Sequence, residues 1–397
     1  MHIIFFAEKA ILPLTYTRPV ADLRIGVLTI AEKWLKRLPH EGFSFLETGL
    51  LAEFYAQNYT HDQVYINAHY CPSAHGDILE ILNHQEAAFF DNGKLIALRT
   101  QNHFFNGKDI LEYGQKITKK VQISTSTSVF ELWHIFQNNR KEIFLDYALL
   151  THGRVSAPIT DAYTRVYGLE NIFIEEGVNI KAAILNAEQG VIYIGKNAQI
   201  EEGAIIRGAT AICEGATVNT GAKIRGDSTI GPFSKVGGEV SNSVLWGYSN
   251  KGHDGFLGNS VLGAWCNLGA DTNNSNLKNN YAQVSIWGIE EHEWLETSSL
   301  FVGLFMGDHS KAGINTMFNT GTVVGMACNI FGSGFPPKYI PSFSWGTNAS
   351  FHLNKVYEMA EAMMNRRNLS LSEREKLLFE KIFMQSNEDR RVFHTTL

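Results

Sequence analysis

The chain has 397 residues, with 35 glycines, nine prolines and a formal net charge of −6. This length exceeds what one hydrophobic core usually holds, so we expect two main domains and a tail. The acidic balance and the lack of a basic stretch argue against nucleic acid as a partner. Glu8 and Lys9 interrupt the apolar run at residues 3–7, and we therefore expect a cytoplasmic protein without a membrane segment.

The N-terminal part, residues 1–165, alternates short apolar runs with helical patterns. The apolar runs include HIIFFA, QVYINA and KLIALR, and the helical patterns include TIAEKWLKRL and SVFELWHIF. This alternation is typical of an α/β domain. No glycine-rich phosphate loop or dinucleotide fingerprint occurs in residues 1–30.

A six-residue period dominates the next part of the chain, residues 166–340. Every sixth residue is aliphatic at Ile194, Ile200, Ile206, Ile212, Val218, Ile224, Ile230 and Val236, and small residues fill the places between them. No helix has this period. Three such units close one triangular coil, in which each aliphatic side chain points inward and stacks on its counterpart eighteen residues later. We therefore predict a left-handed parallel β-helix of hexapeptide repeats.

The repeat is interrupted twice. It lapses after Val236, returns at Leu262 and Leu268, and resumes at Met306, Ala312, Phe318, Val324 and Ile330. Residues 271–300 do not fit the period. Loops that leave a rigid scaffold often carry function, so we expect this excursion to contribute to a site.

The C-terminal tail, residues 341–397, has helical patterns. Residues 353–367 have helical periodicity, and Ser372 with Glu375 forms a capping box before a second helix. We expect these helices to pack against the β-helix or to cover its end, in a structural role. The four cysteines (Cys71, Cys213, Cys266 and Cys328) lack metal-site spacing, so we expect buried free thiols and no metal site.

Two histidines lie in the glycine-rich part of the repeat. His253 lies in SNKGHDGFLG and His309 in MGDHSKAG. Because an inward histidine would disrupt the stack, we predict that both face a groove, where histidine is suited to proton transfer. Solvated or subunit-interface histidines are the alternative.

Asn267 and Asp271 follow His253 by about one coil, and more polar residues crowd the excursion. These are Asn273, Asn274, Asn276, Lys278, Asn279 and Asn280. Amide and ammonium groups at this density could bind sugar hydroxyls and a phosphate. Asparagine also tolerates left-handed turns, which is the alternative explanation.

Three blocks of the sequence resemble a known family. They are LPLTYTRPVADLRIGVLTIAEKW, NKGHDGFLGNSVLGAWCNLGADTNNSNLKNNY and MGDHSKAGINTMFNTGTVVG. They are similar to the bacterial bifunctional N-acetylglucosamine-1-phosphate uridylyltransferase and glucosamine-1-phosphate acetyltransferase, in particular to a divergent branch of sugar nucleotidyltransferases. The resemblance implies that His253 is the general base and that Asn267 contacts the acceptor sugar. It also implies a homotrimer that binds acetyl-CoA along residues 310–325, including Ser310, Gly313 and Gly325.

The second block departs from the family pattern at two positions. Phe256 stands where the resemblance implies an aromatic hydroxyl, and Ser241 falls near the place of a phosphate-binding lysine. Lys235 and Lys278 could supply the missing charge. These departures leave the acceptor open.

The N-terminal block departs further. The glycine-rich turn reads AEKAI, and Val20 follows Pro19 where lysine is expected, so Arg18 and Arg24 are the nearby candidate nucleotide-binding cations. His69 stands where a magnesium-binding aspartate is expected. The resemblance therefore implies the fold of a truncated nucleotidyltransferase-like domain more firmly than its activity, and magnesium is expected only if this domain is active.

The function predicted from the sequence is acyl transfer from acyl-CoA to a sugar phosphate or nucleotide sugar, within nucleotide-sugar biosynthesis. His253 is the predicted general base, and Lys235, Asn267, Asp271 and Lys278 are the predicted substrate-binding residues. One alternative is a bifunctional sugar-1-phosphate nucleotidyltransferase and acetyltransferase. Another is a non-catalytic trimeric scaffold that binds a nucleotide sugar.

Overall fold

The computed structural model of the protein describes residues 1–56, 58–73, 76–347 and 349–396. The chain forms two compact units. The first comprises Met1–Ile11, Thr17–Arg24 and Leu28–His134, and the second comprises Leu12–Tyr16, Ile25–Val27 and Ile135–Leu397. Every helix in the described ranges is too short or too polar to cross a membrane.

A six-stranded mixed sheet forms the first unit. Its strands lie in the order Gly42–Leu46, His2–Phe6, Gln63–Asn67, Lys94–Arg99, Ala87–Asp91 and Lys120–Gln122. Strands Tyr70–Pro72 and Thr125–Ser128 form a separate antiparallel pair. The helices are α1 (Ile30–Leu35), α2 (Glu80–Asn83), α3 (Gly107–Lys116) and the start of α4 (Leu132–Thr151), with 3₁₀ turns at Val20–Asp22, Gly49–Phe54 and Gly76–Leu79.

The central strands of this sheet are apolar because both of their faces are covered. All residues of His2–Phe6 and Gln63–Asn67 are buried, and these two strands are parallel. Continuous apolar runs are typical of strands buried on both faces. Helix α1 begins at a capping box in which Thr29 and Glu32 bond each other's backbone N–H groups. The predicted α/β domain is confirmed.

The second unit is a parallel β-helix with three faces. The first face contains Ile172–Ile174, Ile192–Ile194, Thr210–Ile212, Ser228–Ile230, Val244–Gly247, Val261–Ala264, Leu304–Met306, Thr322–Val324 and Tyr339–Ile340. The second contains Asn179–Ile180, Gln199–Ile200, Thr217–Val218, Lys235–Val236, Asn250–Lys251, Asn267–Leu268, Lys311–Ala312, Asn329–Ile330, Ser344–Trp345 and Ala349–Ser350. The third contains Arg165–Tyr167, Ile184–Asn186, Ile205–Arg207, Lys223–Ile224, Glu239–Ser241 and Phe256–Gly258.

The interior of the β-helix is formed by the aliphatic residues that the six-residue period predicted. Ile194 pairs with Ile212 and Ile212 with Ile230, eighteen residues apart at each step. All eight aliphatics between Ile194 and Val236 are at most 1% exposed. Each coil therefore buries its side chains against its neighbours, and the predicted stacking is confirmed.

The first lapse in the period is a shortened coil. Val236 lies opposite Lys251 and Ile230 opposite Leu245, so this coil has fifteen residues instead of eighteen. The shortening places Lys251 in an inward column, where it is 2% exposed. Burial lowers the pKa of its ammonium group to about 8, because a charged amine is poorly solvated there, while Asp254 and Asp271 oppose the shift.

The second interruption begins later than the sequence predicted. Asn273–Asn274 still forms a strand, which pairs with Met317–Phe318. Asn274 is buried opposite the inward Phe318, and its amide bonds both the N–H and the carbonyl of Gly258. These asparagines therefore join successive coils, and the excursion from the β-helix starts after them. It includes the hairpin Ser285–Gly288 with Glu293–Glu296.

Three helices follow the β-helix, α5 (Leu353–Asn365), α6 (Glu373–Gln385) and α7 (Asn387–Thr396). The predicted capping box of Ser372 and Glu375 starts α6. Phe379 of α6 contacts His309, with ring centroids 5.1 Å apart, and Arg390 of α7 donates to the carbonyl of Ser342 at 3.1 Å. The tail packs against the β-helix, as predicted. The four cysteines are buried and free, also as predicted.

Two neighbouring isoleucines test the stacking. Ile206 is fully buried, whereas Ile205 in the same strand is 37% exposed. Ile206→Ala should lower the free energy of unfolding by about 2–5 kcal/mol, because it leaves a cavity between stacked coils. Ile205→Ala, the matched control, should change it by less than about 0.5 kcal/mol. Urea denaturation measures both, and equal losses would contradict inward stacking.

Lys251→Met tests the buried lysine through pH. The pKa of Lys251 is about 8 in the folded chain and about 10.4 in an unfolded one, so the unfolded chain binds more protons between these values. Folding stability from this group therefore rises as pH increases from about 8 to about 10.4. Lys251→Met should show a smaller rise than the wild type in thermal melts across this window. Lys223→Met, which removes an exposed lysine from the third face, is the control.

Candidate active site

A groove of about 510 Å³ lies on the second face of the β-helix, beneath the end of α5. It spans several coils and is open to solvent. It is lined by Asn219, Lys235, Tyr248, Asn250, Gly252, His253, Trp265, Asn267, Leu268, Gly269, Ala270, Ile314, Met363, Arg366 and Arg367. Three predicted site residues, His253, Asn267 and Lys235, therefore line one groove.

His253 lies at the edge of the groove, in the corner that follows strand Asn250–Lys251. Its side chain is exposed, and its imidazole has no hydrogen-bond partner within the described ranges. Two side chains fix its backbone. The amide of Asn219 donates to the carbonyl of Gly252 at 2.8 Å, and the buried ammonium of Lys251 donates to the carbonyl of His253 at 2.5 Å. These two hydrogen bonds fix the backbone of the corner and leave the imidazole of His253 free to contact a ligand.

The floor of the groove is a column of outward side chains on successive coils. Lys235 lies opposite Asn250, and Asn250 lies opposite Asn267. Each of these three residues directly precedes the inward residue of its own strand. The β-helix therefore spaces their polar groups one coil apart. Two amides and one ammonium therefore face the groove side by side, where they can hydrogen-bond hydroxyl groups or an anion.

A stack of aromatic rings forms the opposite edge. Phe233, Tyr248 and Trp265 occupy the corner before the second face, with centroids 5.1 Å and 4.4 Å apart along the stack. His309 continues the stack 6.1 Å from Trp265. All four residues have a positive φ between 54° and 60°, so the backbone has the same left-handed conformation at this corner of each coil.

The prediction that His309 faces a groove is wrong. Its side chain is only 5% exposed and lies between Trp265 and Phe379. No local sequence pattern indicates that a tail helix covers this corner, where Phe379 contacts His309.

The end of α5 closes the groove over the aromatic corner. Met363, Arg366 and Arg367 contribute to the lining, and Arg367 donates to the carbonyl of Phe233 at 3.1 Å. Arg366 is the residue at the C-cap of α5, and its side chain is exposed. The tail, which we expected to be structural, thus brings two guanidinium groups to the groove.

The groove is electrically unlike the rest of the chain. Lys235, Arg366 and Arg367 line it, and none of its described lining residues is Asp or Glu. The whole chain has a formal net charge of −6. A pocket lined by cations raises the local concentration of anionic ligands, so the groove suits an anion.

Asp271 and Lys278 do not belong to the residues that line this groove. Asp271 is exposed at a corner with a φ of 60°, next to the lining residue Ala270. Lys278 donates to the carbonyl of Gln283 at 2.5 Å, within the excursion. Asn276 bonds the amide of Asn259 at 2.7 Å. Asn273, Asn274 and Asn276 thus bond the protein itself. None of the asparagines at residues 273–280 adopts the left-handed backbone that the alternative explanation required.

Two of the three predicted acetyl-CoA residues are buried within the β-helix. Ser310 is fully buried, and its hydroxyl donates to the carbonyl of Gly325 at 2.7 Å. Gly325 is buried too, whereas Gly313 is half-buried and precedes the lining residue Ile314. Neither Ser310 nor Gly325 lines the groove, and their role in binding a cofactor stays a prediction.

In the first unit, the residues singled out for nucleotide chemistry are buried. Arg18 lies 3.8 Å from Asp22 and Arg24 lies 3.9 Å from Glu32, and both arginines are at most 8% exposed. His69 is fully buried, with Nδ1 2.6 Å from the carbonyl of Val129, and burial lowers its pKa. Across the described ranges, no three His, Cys, Asp or Glu side chains are grouped as metal ligands. His69 offers no oxygen ligand, so a magnesium ion does not fit there.

Several groove residues were not identified from the sequence, namely Asn219, Tyr248, Asn250, Trp265, Arg366 and Arg367. Asn250 and Asn219 could have been found from the repeat, because each lies next to an inward residue on the face that carries Asn267. Tyr248 and Trp265 are corner residues seventeen positions apart, so the regular step of eighteen residues does not align them. The two arginines lie about a hundred residues away, and no local pattern connects them to His253.

One family model and two solved structures are similar to parts of the chain. Residues 3–155 match the model of a family described as sugar nucleotidyl transferase. No curated protein is significantly similar to the chain. Among solved structures, the chain is similar to the polySia-specific acetyltransferase NeuO, with 13% identity, a TM-score of 0.26 and coverage of 52% of this chain and 96% of that one.

It is also similar to the UDP-N-acetylglucosamine acyltransferase of Arabidopsis, with 13% identity and a TM-score of 0.22. That match covers 58% of this chain and 90% of the other. Identities and TM-scores this low assign no function. The chain therefore carries, at residues 3–155, a domain like those of the sugar nucleotidyl transferases.

Proposed function

We propose that the β-helical unit transfers an acyl group from acyl-CoA to an amino or hydroxyl group of a sugar phosphate or nucleotide sugar. The observation that carries this proposal is the exposed imidazole of His253, which adjoins a groove lined by amides and cations. Histidine accepts a proton near neutral pH, and amides bind sugar hydroxyls. The resemblance of the SNKGHDGFLG segment to a sugar acetyltransferase site supports the same reaction.

In this reaction His253 acts as the general base. It takes a proton from the acceptor nitrogen or oxygen as that atom attacks the thioester carbonyl carbon. The tetrahedral intermediate then collapses, the carbon–sulfur bond breaks, and the imidazolium returns the proton to the departing thiolate. The products are the acylated sugar and free CoA, and the histidine is regenerated.

The rigid backbone around His253 supports its role. A base must lie within hydrogen-bond reach of the proton that it removes, so its position must be held. Asn219 and Lys251 bond two consecutive carbonyls at this corner, and the stacked coils fix both of them. Lys251 and Asn219 are therefore positioning residues in this account.

The floor residues suit the acceptor. Asn250 and Asn267 present amides one coil apart, between the aromatic corner and His253. A sugar lying across them could bond both amides while one of its amino or hydroxyl groups faces the imidazole. Asn267 as an acceptor contact agrees with the family resemblance.

We propose acetyl-CoA as the acyl donor, bound along residues 310–325. Because the hydroxyl of Ser310 is buried and bonded, backbone groups of the coils would make these contacts. We also propose that the chain assembles as a homotrimer, as the family resemblance implies. Neither the proposed acyl donor nor the proposed homotrimer depends on whether His253 is the general base.

A nucleotidyltransferase activity of the first unit is the second candidate function, and the family match at residues 3–155 favours it. The residues argue against strong activity. His69 is buried where a carboxylate would be needed, and Arg18 and Arg24 lie close to acidic side chains. Phosphoryl transfer depends on cations and oriented donors around the phosphates.

His253→Ala tests the base directly. A positioned general base contributes about 10²–10⁴ in rate, so turnover of acetyl-CoA with an amino-sugar phosphate should fall by that factor. The exposed side chain contributes little to packing, and the melting temperature should stay near that of the wild type. Release of the free thiol measures turnover. His292→Ala, at an exposed histidine outside the groove, is the control.

Full thiol release by His253→Ala would exclude His253 as the base. Ligand binding without turnover in the wild type would instead favour a non-catalytic scaffold.

A nucleotide-sugar assay tests the first unit. With UTP or dTTP, magnesium and a sugar 1-phosphate, we expect weak or absent formation of a nucleotide sugar, because the phosphates would lack their usual stabilising groups. Chromatographic detection of the nucleotide sugar is the measurement. Robust magnesium-dependent synthesis would contradict this expectation and establish a bifunctional chain.

A further inference from the structure

The C-terminal helix α5 supplies the groove with charge that the β-helix alone lacks. Among the described lining residues on the second face itself, the only permanent cation is Lys235. Arg366 and Arg367 come from the end of α5 and raise the number of cations to three. No described lining residue offers a carboxylate to neutralise them.

Neither Lys235 nor Arg366 makes an ion pair or side-chain hydrogen bond within the described ranges. Arg367 makes one hydrogen bond, to the carbonyl of Phe233, which ties its guanidinium to the aromatic corner. Its other N–H groups have no acceptor in the part of the chain that the structure describes. Three cations with unused donors therefore border one cavity.

A simpler explanation is that arginines at a helix C-terminus complement the helix dipole. That explanation accounts for basic residues at this end of α5, but it does not require them to line a groove. Arg367 bonds a carbonyl of the β-helix instead of a carbonyl of α5. Its position is set by the groove wall.

We propose that Lys235, Arg366 and Arg367 form a subsite for a phosphoryl group. Guanidinium groups match phosphate oxygens with paired N–H donors, and such charge-assisted bonds are the strong ones. The aromatic corner and His253 bracket strand Asn250–Lys251, so a ligand held at this subsite can reach across the floor to the imidazole.

The subsite deepens the proposed function, because a phosphoryl group at α5 would orient a sugar phosphate with its nucleophile towards His253. It also explains how the chain can lack a lysine near Ser241. Two phosphoryl sources share this chemistry, namely the acceptor sugar phosphate and the phosphates of CoA. The orienting role rests on the proposed function, whereas the subsite itself is inferred from the residues that line the groove.

The test is calorimetric binding of glucosamine 1-phosphate, glucosamine, CoA and dephospho-CoA to the full chain. The double variant Arg366→Gln/Arg367→Gln should weaken binding of one phosphorylated probe by about tenfold or more, because it removes charge-assisted bonds. Binding of the matching probe that lacks that phosphate should be unchanged. Arg391→Gln, which removes an exposed tail arginine outside the groove, is the matched control.

Selective loss for glucosamine 1-phosphate supports a subsite for the acceptor, and selective loss for CoA supports one for the donor. Unchanged affinity for both phosphorylated probes, in a double variant that melts like the wild type, overturns the subsite. If the double variant has a lower melting temperature than the wild type, the single variant Arg366→Gln repeats the binding test, because the side chain of Arg366 is exposed and should contribute little to packing.

The two proposals fail separately. The double variant leaves His253 in place, so its loss of probe binding tests the subsite alone, whereas thiol release by His253→Ala tests the base. If the wild type binds that probe through the arginines but never transfers an acyl group, the subsite stands and the transferase proposal falls.

Discussion

The second unit depends on the stacking of inward side chains from one coil to the next. Each coil alone buries too little apolar surface to be stable, so its shape is set by its neighbours. Ile194, Ile212 and Ile230 illustrate the regular step of eighteen residues. Because the interior is fixed in this way, the outward side chains are held at defined spacings, and polar groups on one face form an ordered floor.

The candidate site occurs where this regularity is broken. The fifteen-residue coil directs Lys251 inward, at the energetic cost of burying an amine. Its ammonium donates to the carbonyl of His253, and together with Asn219, which donates to the carbonyl of Gly252, it fixes the backbone of this corner. The same coil brings Phe233 against Tyr248, and the next coil, of seventeen residues, brings Tyr248 against Trp265. A departure from the repeat thus produces both edges of the groove, and α5 supplies the wall above it.

How far the sequence predicts this arrangement depends on the range of the interaction. The inward column from Ile194 to Val236 follows a strict local period, and so could be read directly. His253 and Asn267 could be identified through short motifs. Arg366 and Arg367 could not, because the docking of α5 is a tertiary contact without a periodic signal. His309 was misjudged for the same reason, since Phe379 covers it from the tail.

The central claim is that the groove on the second face is a site of acyl transfer. Its most direct test is to incubate the purified chain with acetyl-CoA and a panel of amino-sugar phosphates, and to measure free thiol and acylated sugar together. We expect equal amounts of both, formed only when an acceptor is present. Thiol release that does not depend on any acceptor, with no acylated product, would contradict it.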